Sequence, residues 1–346
     1  SDLDRSPKVR GTNINTLMVM WISNSCGHVT GTKDMPNKIY SSTWNGTVWT
    51  SPILAVQEIL YYDSDKPNPF QKPIINYDFI YTGDANAYFC IDMDEDTSTL
   101  DDREIFGLRG GSTFWLDPSW PWNRTTNSVP DENPRMVANI EGVYWIRGNT
   151  LFFTNYWMDG VTPPTPIYVF EGEYSSNVSS FSIARSPAGR LAVIWSEPSE
   201  YSSDLWAVFY DPSLRVCGKP QRLTFDAQTE RSPVFAFYGE DTLVGIYDKI
   251  NVNISYEKRQ TLTGKTVTIP VRQMGSASLA SFMHTVSTDI ALKPGSLAVT
   301  PVNPLCGSVA DIIVTVMNMG NTAQKDITVS FYNGDPHNGG VLIEEV

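Results

Sequence analysis

Two stretches of this chain, more than 220 residues apart, carry one pattern. RSPKVRGTNINTLMVMWISN begins at Arg5, and RSPVFAFYGEDTLVGIYDK begins at Arg231. Each reads Arg-Ser-Pro, a short apolar stretch, a turn of Gly and polar residues, and a second apolar run. Three more stretches have the same texture: KPIINYDFIYTGDANAYFCID from Lys72, NPRMVANIEGVYWIRGN from Asn133 and SSFSIARSPAGRLAVIWSE from Ser179. Alternation and the β-branched or aromatic content make these strand-turn-strand units. A repeat of this kind limits the fold more than any single motif does, because each copy must bury its faces against the next.

A third strand is expected after each pair: KIYSSTW at Lys38, EIFGLRG at Glu104, TLFFTNY at Thr150, DLWAVFY at Asp204 and NISYEKR at Asn253. A weaker fourth follows in WTSPILAV, TFWLDP, PIYVFEG, KPQRLTF and KTVTIPV. Four antiparallel strands in a unit of about 54 residues, five times over, predict an all-β chain built as a β-propeller. The expected propeller spans 1–275, with blades at 5–58, 72–118, 133–173, 179–226 and 231–273. Trp21, Cys90, Trp145, Trp195 and Ile246 are expected at equivalent second-strand positions. Pro fits the strand entry, where no ladder hydrogen bond is donated. RLTFDAQTERSP from Arg222 leads from one blade into the next, and SDLDRSP at Ser1 reads like its end. On that reading Ser1 is itself the tail of an earlier blade, and the five blades are part of a larger ring.

The fourth repeat, VIWSEPSEYSSDLWAVFYDPS followed by RLTFDAQTERSP, resembles the repeats of TolB-like and sialidase-like propellers. That resemblance covers the propeller and implies fold rather than activity. The sialidase Asp-box, S-x-D-x-G-x-T-W, is absent, and STWNGTVW at Ser42 is a faint echo of it.

After Gln273 the texture changes. Residues 276–288 read as a linker. The segment 289–346 resembles the bacterial CARDB family, an immunoglobulin-like domain associated with cell adhesion. Carrying the resemblance are Asp289 and its strand, Pro301 to Pro304, VTVMNMGNTAQKDITVSFYNGDP from Val314, and Gly339-Gly340. It implies a partial immunoglobulin-like β-sandwich, since strands of a second sheet are missing from this stretch. Its alternating strands would leave an apolar face to be covered, by further chain or by a neighbouring copy.

Composition narrows the partners. Abundant Thr, Ser, Asn, Gly and Pro, with aromatics at 12% and charged residues at only 18%, fit an extracellular or cell-surface β-protein. A formal net charge of −13 argues against nucleic acid and anionic lipid. No apolar run is long enough to span a bilayer. Cys26, Cys90, Cys217 and Cys306 form no C-x-x-C pair, and Cys90 reads as a small core residue. His28, His284 and His337 are too dispersed for a metal cluster.

Three constellations are candidates for chemistry. Asp92, Asp94 and Asp96 alternate in DMDEDTSTLDD, a spacing Ca2+ accepts, against a plain solvated loop. Glu197, Glu200 and Asp204 could supply a carboxylate pair for glycoside hydrolysis if they converge. Trp120, Trp122 and Trp157 fall outside the regular strands, where exposed aromatics suit sugar rings or protein hot spots and otherwise cover blade edges. No nucleotide-binding or hydrolase motif occurs. The expected function is a non-catalytic modular protein with a protein or glycan partner, the propeller serving as scaffold and the C-terminal module as spacer or joint. The alternative is a glycan-binding or glycan-hydrolysing propeller. A deep axial pocket with converging carboxylates would favour the latter.

Overall fold

The computed structural model describes residues 3–346 except 14, 30–34, 36, 57–59, 62–69, 72–73, 82–86, 94–102, 111–124, 126–128, 138–141, 156–163, 171–177, 179, 200–201, 214, 287–289, 294, 304–307, 319–323 and 336–338. Among the described residues every regular element is a β-strand. Blade one is β1 (Leu3–Asn13), β2 (Thr16–Asn24), β3 (Lys38–Trp44) and β4 (Ile53–Val56), an antiparallel sheet in that order. A short pair, β5 (Leu60–Tyr61) and β6 (Phe70–Gln71), precedes blade two, which is β7 (Ile74–Tyr81), β8 (Ala87–Met93) and β9 (Glu104–Gly110). Its expected fourth strand lies outside the described residues. Blade three is β10 (Asp131–Met136), β11 (Gly142–Arg147), β12 (Thr150–Asn155) and β13 (Thr165–Val169). Blade four is β14 (Phe181–Arg185), β15 (Leu191–Pro198) and β16 (Ser203–Asp211), edged by β17 (Val216–Cys217) and β18 (Gln221–Arg222).

Blade five departs from expectation. It has three strands, β19 (Thr229–Tyr238), β20 (Thr242–Gln260) and β21 (Thr266–Thr285). NISYEKR is not a third strand but the continuation of β20, and KTVTIPV begins β21. Residues 276–285, expected as linker, complete β21 and pair with Thr242–Ile250. The reason is local. At Asn251 the ladder is only bulged, with Gly275 and Ser276 of β21 opposite that one residue, while the reversal waits for the Thr261–Lys265 turn, where Gly264 adopts φ +77°. The far half of this hairpin is a ribbon exposed on both faces.

The five sheets are stacked as propeller blades. β1 lies against β7, β7 against β10, β10 against β14, and β14 against β19, so the first strand of each blade is the innermost. Side-chain alternation gives each blade one face toward the preceding blade and one toward the next. Val143 and Trp145 face back and pack with Ile80 and Ile105 of blade two. Tyr144 and Ile146 face forward and pack with Phe181, Val193 and Trp195 of blade four. Ala192 and Ile194 of blade four meet Phe235, Leu243 and Tyr247 of blade five.

The repeated Pro marks a repeated bulge. The residue before it is left-handed in three blades: Ser6 (φ 53°), Asn133 (φ 56°) and Ser232 (φ 54°). In each case the ladder slips at that point, between Arg5 and Lys8, Glu132 and Arg135, and Arg231 and Val234. Two residues of the inner strand thus oppose one of the second strand. That one residue is Trp21, Trp145 or Tyr247. Tyr247, rather than Ile246, is therefore the blade-five equivalent. Because the side-chain period is two, the offset puts Tyr247 inside and leaves Ile246 50% exposed. An acid stands two residues before each bulge: Asp4, Asp131 and Glu230. In blade three, Asp131 Oδ1 accepts from Trp145 Nε1 at 2.8 Å, and both its oxygens accept from Arg147. The bulge at Ser/Asn-Pro is thus shared by three blades, with the acid's latch on the second-strand aromatic made in blade three.

Beyond the propeller three strand pairs follow: β22 (Ile290–Leu292) with β25 (Val316–Asn318), β23 (Ala298–Thr300) with β24 (Asp311–Ile313), and β26 (Ser330–Asn333) with β27 (Val341–Glu345). Ala291 and Met317 pack on Val216 of blade four. Leu292, Val309, Ile313, Val341 and Ile343 are exposed.

The bulge conformation has a measurable cost. A β-branched L-residue held left-handed loses about 1–2 kcal/mol. Ser232→Val is expected to lower unfolding stability in urea by that amount, while Ser232→Gly leaves it unchanged or raises it.

Candidate functional site

The inner strands line a half-open cavity of about 960 Å3 near the axis. Its wall is Pro7–Arg10, Asp78, Arg135–Val137, Ser180–Pro187 and Ser232–Phe237. The bulges place these walls: each Pro turns its inner strand, and the residue after it begins the stretch that faces the forward neighbour. The same step puts Lys8 and Arg135 at matching positions of blades one and three.

Charge in the cavity is one-sided. Lys8, Arg10, Arg135 and Arg185 line it, with Asp78 as the single carboxylate among the described residues. Asp78 is fully buried. Its Oδ1 accepts from Arg10 Nη2 at 2.8 Å and from the Phe79 amide at 2.9 Å. Its Oδ2 accepts from the Met136 amide at 2.9 Å, and Lys8 Nζ stands 3.8 Å away. Blades one, two and three thus meet at one carboxylate. Burial would raise the Asp78 carboxyl, but Arg10, then Lys8 and Arg135, with the Met136 amide, outweigh it and hold it below the usual range. Arg135 is positioned from the other side, its Nε donating to the Phe181 carbonyl at 2.9 Å and its guanidinium lying over the Phe181 ring. Tyr77 beside Asp78 donates to the carbonyls of Ser6 and Met20, and burial drives its phenol far above the usual range.

Sequence reasoning did not single out these cations, since each sits in a strand read only for its apolar residues. The signal was present: Lys8 and Arg135 occupy the same place after the same Pro. The residues it did single out are distributed elsewhere. Trp120, Trp122 and Trp157 lie outside the described residues, as do Asp94, Asp96 and Glu200. Asp92 is in β8, its backbone opposite Asn76 and Ile105. No group of three or more His, Cys, Asp or Glu is arranged to hold a metal among the described residues. Glu197 accepts from Trp195 Nε1 at 2.7 Å, and Asp204 accepts from Arg222 Nη2 at 2.6 Å. Neither lines the cavity. Cys26 Sγ donates to Asn24 Oδ1 and Cys217 Sγ to the Ile167 carbonyl, each at 3.2 Å.

A second polar cluster seals blade five onto blade four. Glu230 is fully buried; its amide nitrogen accepts nothing and donates to Ser203 Oγ at 3.0 Å, while its carbonyl accepts from the hydroxyls of Ser196 and Ser203. Its carboxylate accepts from Thr224, and its other oxygen has no hydrogen-bond partner. Burial raises the Glu230 carboxyl above the usual range, with Asp226 adding to the effect against the hydrogen bonds from Thr224 and Tyr247. Burial also raises Asp204, against the pull of Arg222. Tyr247 is pushed up to about 12 by burial and by the Glu230 charge. Lys249 is bound to Asp226 instead.

No family model matches this chain, that of the CARDB family included, and no curated protein matches it. Solved structures resemble it distantly. A protein named as TolB from Agrobacterium tumefaciens has 11% identity and a TM-score of 0.41, over 82% of this chain and 90% of the other. A Hadza microbial sialidase has 13% identity and a TM-score of 0.43, over 71% of this chain and 50% of the other. The intramolecular trans-sialidase from Ruminococcus gnavus has 9% identity and a TM-score of 0.41, over 84% and 86%. The propeller architecture stands on the order, pairing and stacking of this chain's own sheets. Among the described residues no helix is long and apolar enough to cross a membrane.

Two substitutions test the electrostatics. Asp78→Ala strips the counter-charge from Arg10 inside three blades and is expected to cost about 3–5 kcal/mol in denaturant unfolding. Glu230→Gln acts the other way. A carboxyl raised in the folded state favours folding below its unfolded pKa and loses that contribution as pH rises through its folded value. The variant should therefore melt higher than the parent at neutral pH, with the difference closing as the pH approaches the ordinary carboxylate range, read by thermal scans across pH.

Proposed function

We propose that this chain is a non-catalytic binding propeller whose axial cavity receives an acidic group of a protein or glycan partner. The observation behind this reading is the charge of the cavity wall, four cations and one carboxylate among the described residues, in a chain whose formal net charge is −13. A cavity of one sign with low-dielectric walls concentrates ligands of the other sign. Asp78, engaged by Arg10 and two backbone amides, offsets one of the four positive charges, leaves the wall net positive and is not placed to act as a base.

Glycoside hydrolysis in its common form needs two carboxyl groups flanking one bond. The cavity offers one among the described residues, and it is fully buried. Binding fits the wall better than hydrolysis does. In this reading the module at 289–346 is a CARDB-like joint or spacer, and the whole is secreted or held at a cell surface, as its Thr-, Asn- and aromatic-rich composition supports. Trp120, Trp122 and Trp157 remain proposed partner contacts, and Asp92, Asp94 and Asp96 a proposed Ca2+ loop.

Titration calorimetry with citrate, a compact tricarboxylate, tests the cavity. Binding is expected at low ionic strength and should weaken about tenfold or more in high salt. Lys8→Gln and Arg185→Gln should each weaken it without changing the fold, as followed by circular dichroism. No citrate binding at low salt, or binding indifferent to both variants, would remove the reading.

A further inference from the structure

We infer that Asn333 is a site of spontaneous covalent modification. Its side chain closes on the Gly334 amide nitrogen and is converted to aspartate and isoaspartate, while the same dipeptide at Asn45-Gly46 is held unreactive by its turn. Asn-Gly occurs three times in the chain, at Asn45, Asn333 and Asn338. Asn338 lies outside the described residues. The other two form a matched pair. Asn45 follows β3 and Asn333 ends β26, so each stands where a strand turns toward its antiparallel partner. Both asparagines are exposed. Both glycines are left-handed, Gly46 at φ 93° and Gly334 at φ 91°. Neither carries a side chain that would hinder attack by its amide nitrogen.

The asparagine side chains separate the two sites. Asn45 Oδ1 accepts from the Thr47 and Val48 amides, each at 3.0 Å. Its own amide donates to the Val48 carbonyl at 3.3 Å, and the Thr50 amide donates to the Thr43 carbonyl at 2.9 Å, which closes the loop from both sides. Ring closure onto the Gly46 nitrogen swings the carboxamide out of this clamp and loses both bonds to Oδ1. A Cβ on Gly46 would also stand 3.6 Å from the Asn15 side chain, so the first turn of blade one buttresses the loop. Asn333 has no such clamp. Among the described residues its side chain makes no hydrogen bond, and the neighbour of Gly334 is the Gly340 Cα across the same turn. Its carboxamide is therefore free to sample the geometry in which Cγ meets the next nitrogen, and proximity within one chain does the rest.

Water is the only co-reactant. The Gly334 nitrogen gives its proton to solvent and bonds to Asn333 Cγ. The bond from Cγ to Nδ2 breaks, and Nδ2 leaves as ammonia. Water then opens the five-membered imide. Opening at Cγ restores the original backbone and leaves aspartate. Opening at the main-chain carbonyl carries the backbone through Cγ and leaves isoaspartate. One water is consumed and one ammonia released, with nothing oxidised or reduced. Either product puts a new negative charge beside Asp335, and isoaspartate lengthens the backbone where β26 turns toward β27.

Peptide mapping by tandem mass spectrometry tests this on the full chain, incubated at body temperature and mildly alkaline pH. Fragment ions separate Asn333 from Asn338. Asn333 should gain one mass unit, with isoaspartate as well as aspartate among its products, about tenfold or more faster than Asn45. In concentrated urea the clamp is gone, and the two sites should react at similar rates. Asn45 converting as fast as Asn333 in the folded chain, a difference that persists in urea, no conversion at Asn333, or aspartate there without isoaspartate would each overturn the inference.

Discussion

A four-stranded sheet with apolar residues on both faces can be dried only by another sheet on each side. Everything else in this propeller follows from that requirement. It explains why the chain repeats itself, and why the repeats are spaced by blades rather than by strands. It also explains why Trp145, Phe181 and Phe235 of different blades stand in continuous apolar layers. Packing alone would leave neighbouring blades free to slide along one another. The register is pinned near the axis by charge. Asp78 holds Arg10 of one neighbour and the Met136 amide of the other, and Arg135 carries the contact on to the Phe181 carbonyl. Four blades are thus linked through one short run of hydrogen bonds.

Two carboxylates illustrate how differently such pins behave. Asp78 is buried among cations, so its charged form is the stable one. Glu230 is buried with Asp226 nearby, and together these raise its carboxyl against the hydrogen bonds from Thr224 and Tyr247. The first junction is strongest where carboxylates ionise and the second where they do not. The fold therefore spreads its pH sensitivity over opposing contributions instead of failing at one edge.

Much of this was legible in the sequence, and the limits are physical. Alternation and aromatic runs located the second strand of every blade, because those residues carry the packing. Arg-Ser-Pro signalled equivalent inner strands, and the shared bulge is why the words repeat. Ile246 was misplaced by one residue because apolar texture cannot show a bulge, and one extra residue swaps the faces. The end of β20 was misplaced because the polar stretch around Asn251 reads as a loop, whereas β20 runs straight through it and β21 takes up a bulge at Gly275–Ser276. The axial cations were missed for a related reason: a charged residue in a strand reads as solvent-facing, whereas at the axis it faces a cavity. The tryptophan and aspartate loops, by contrast, were chosen for residue type, and residue type says nothing about where a loop lies.

The acid-x-Ser/Asn-Pro device connects packing with recognition. In blade three the acid latches the aromatic of its own second strand, Asp131 accepting from Trp145. The left-handed residue and Pro then turn the inner strand, so that the next side chain faces forward beside the axis. In blades one and three that side chain is a cation, Lys8 or Arg135, and the cavity is basic. In blade five it is Val234, and the face it opens is apolar. One backbone device thus sets both the sign of the axial cavity and the character of the forward face of blade five. Selection at a single position per blade can therefore alter what the axis binds without disturbing the latch that holds the blade together.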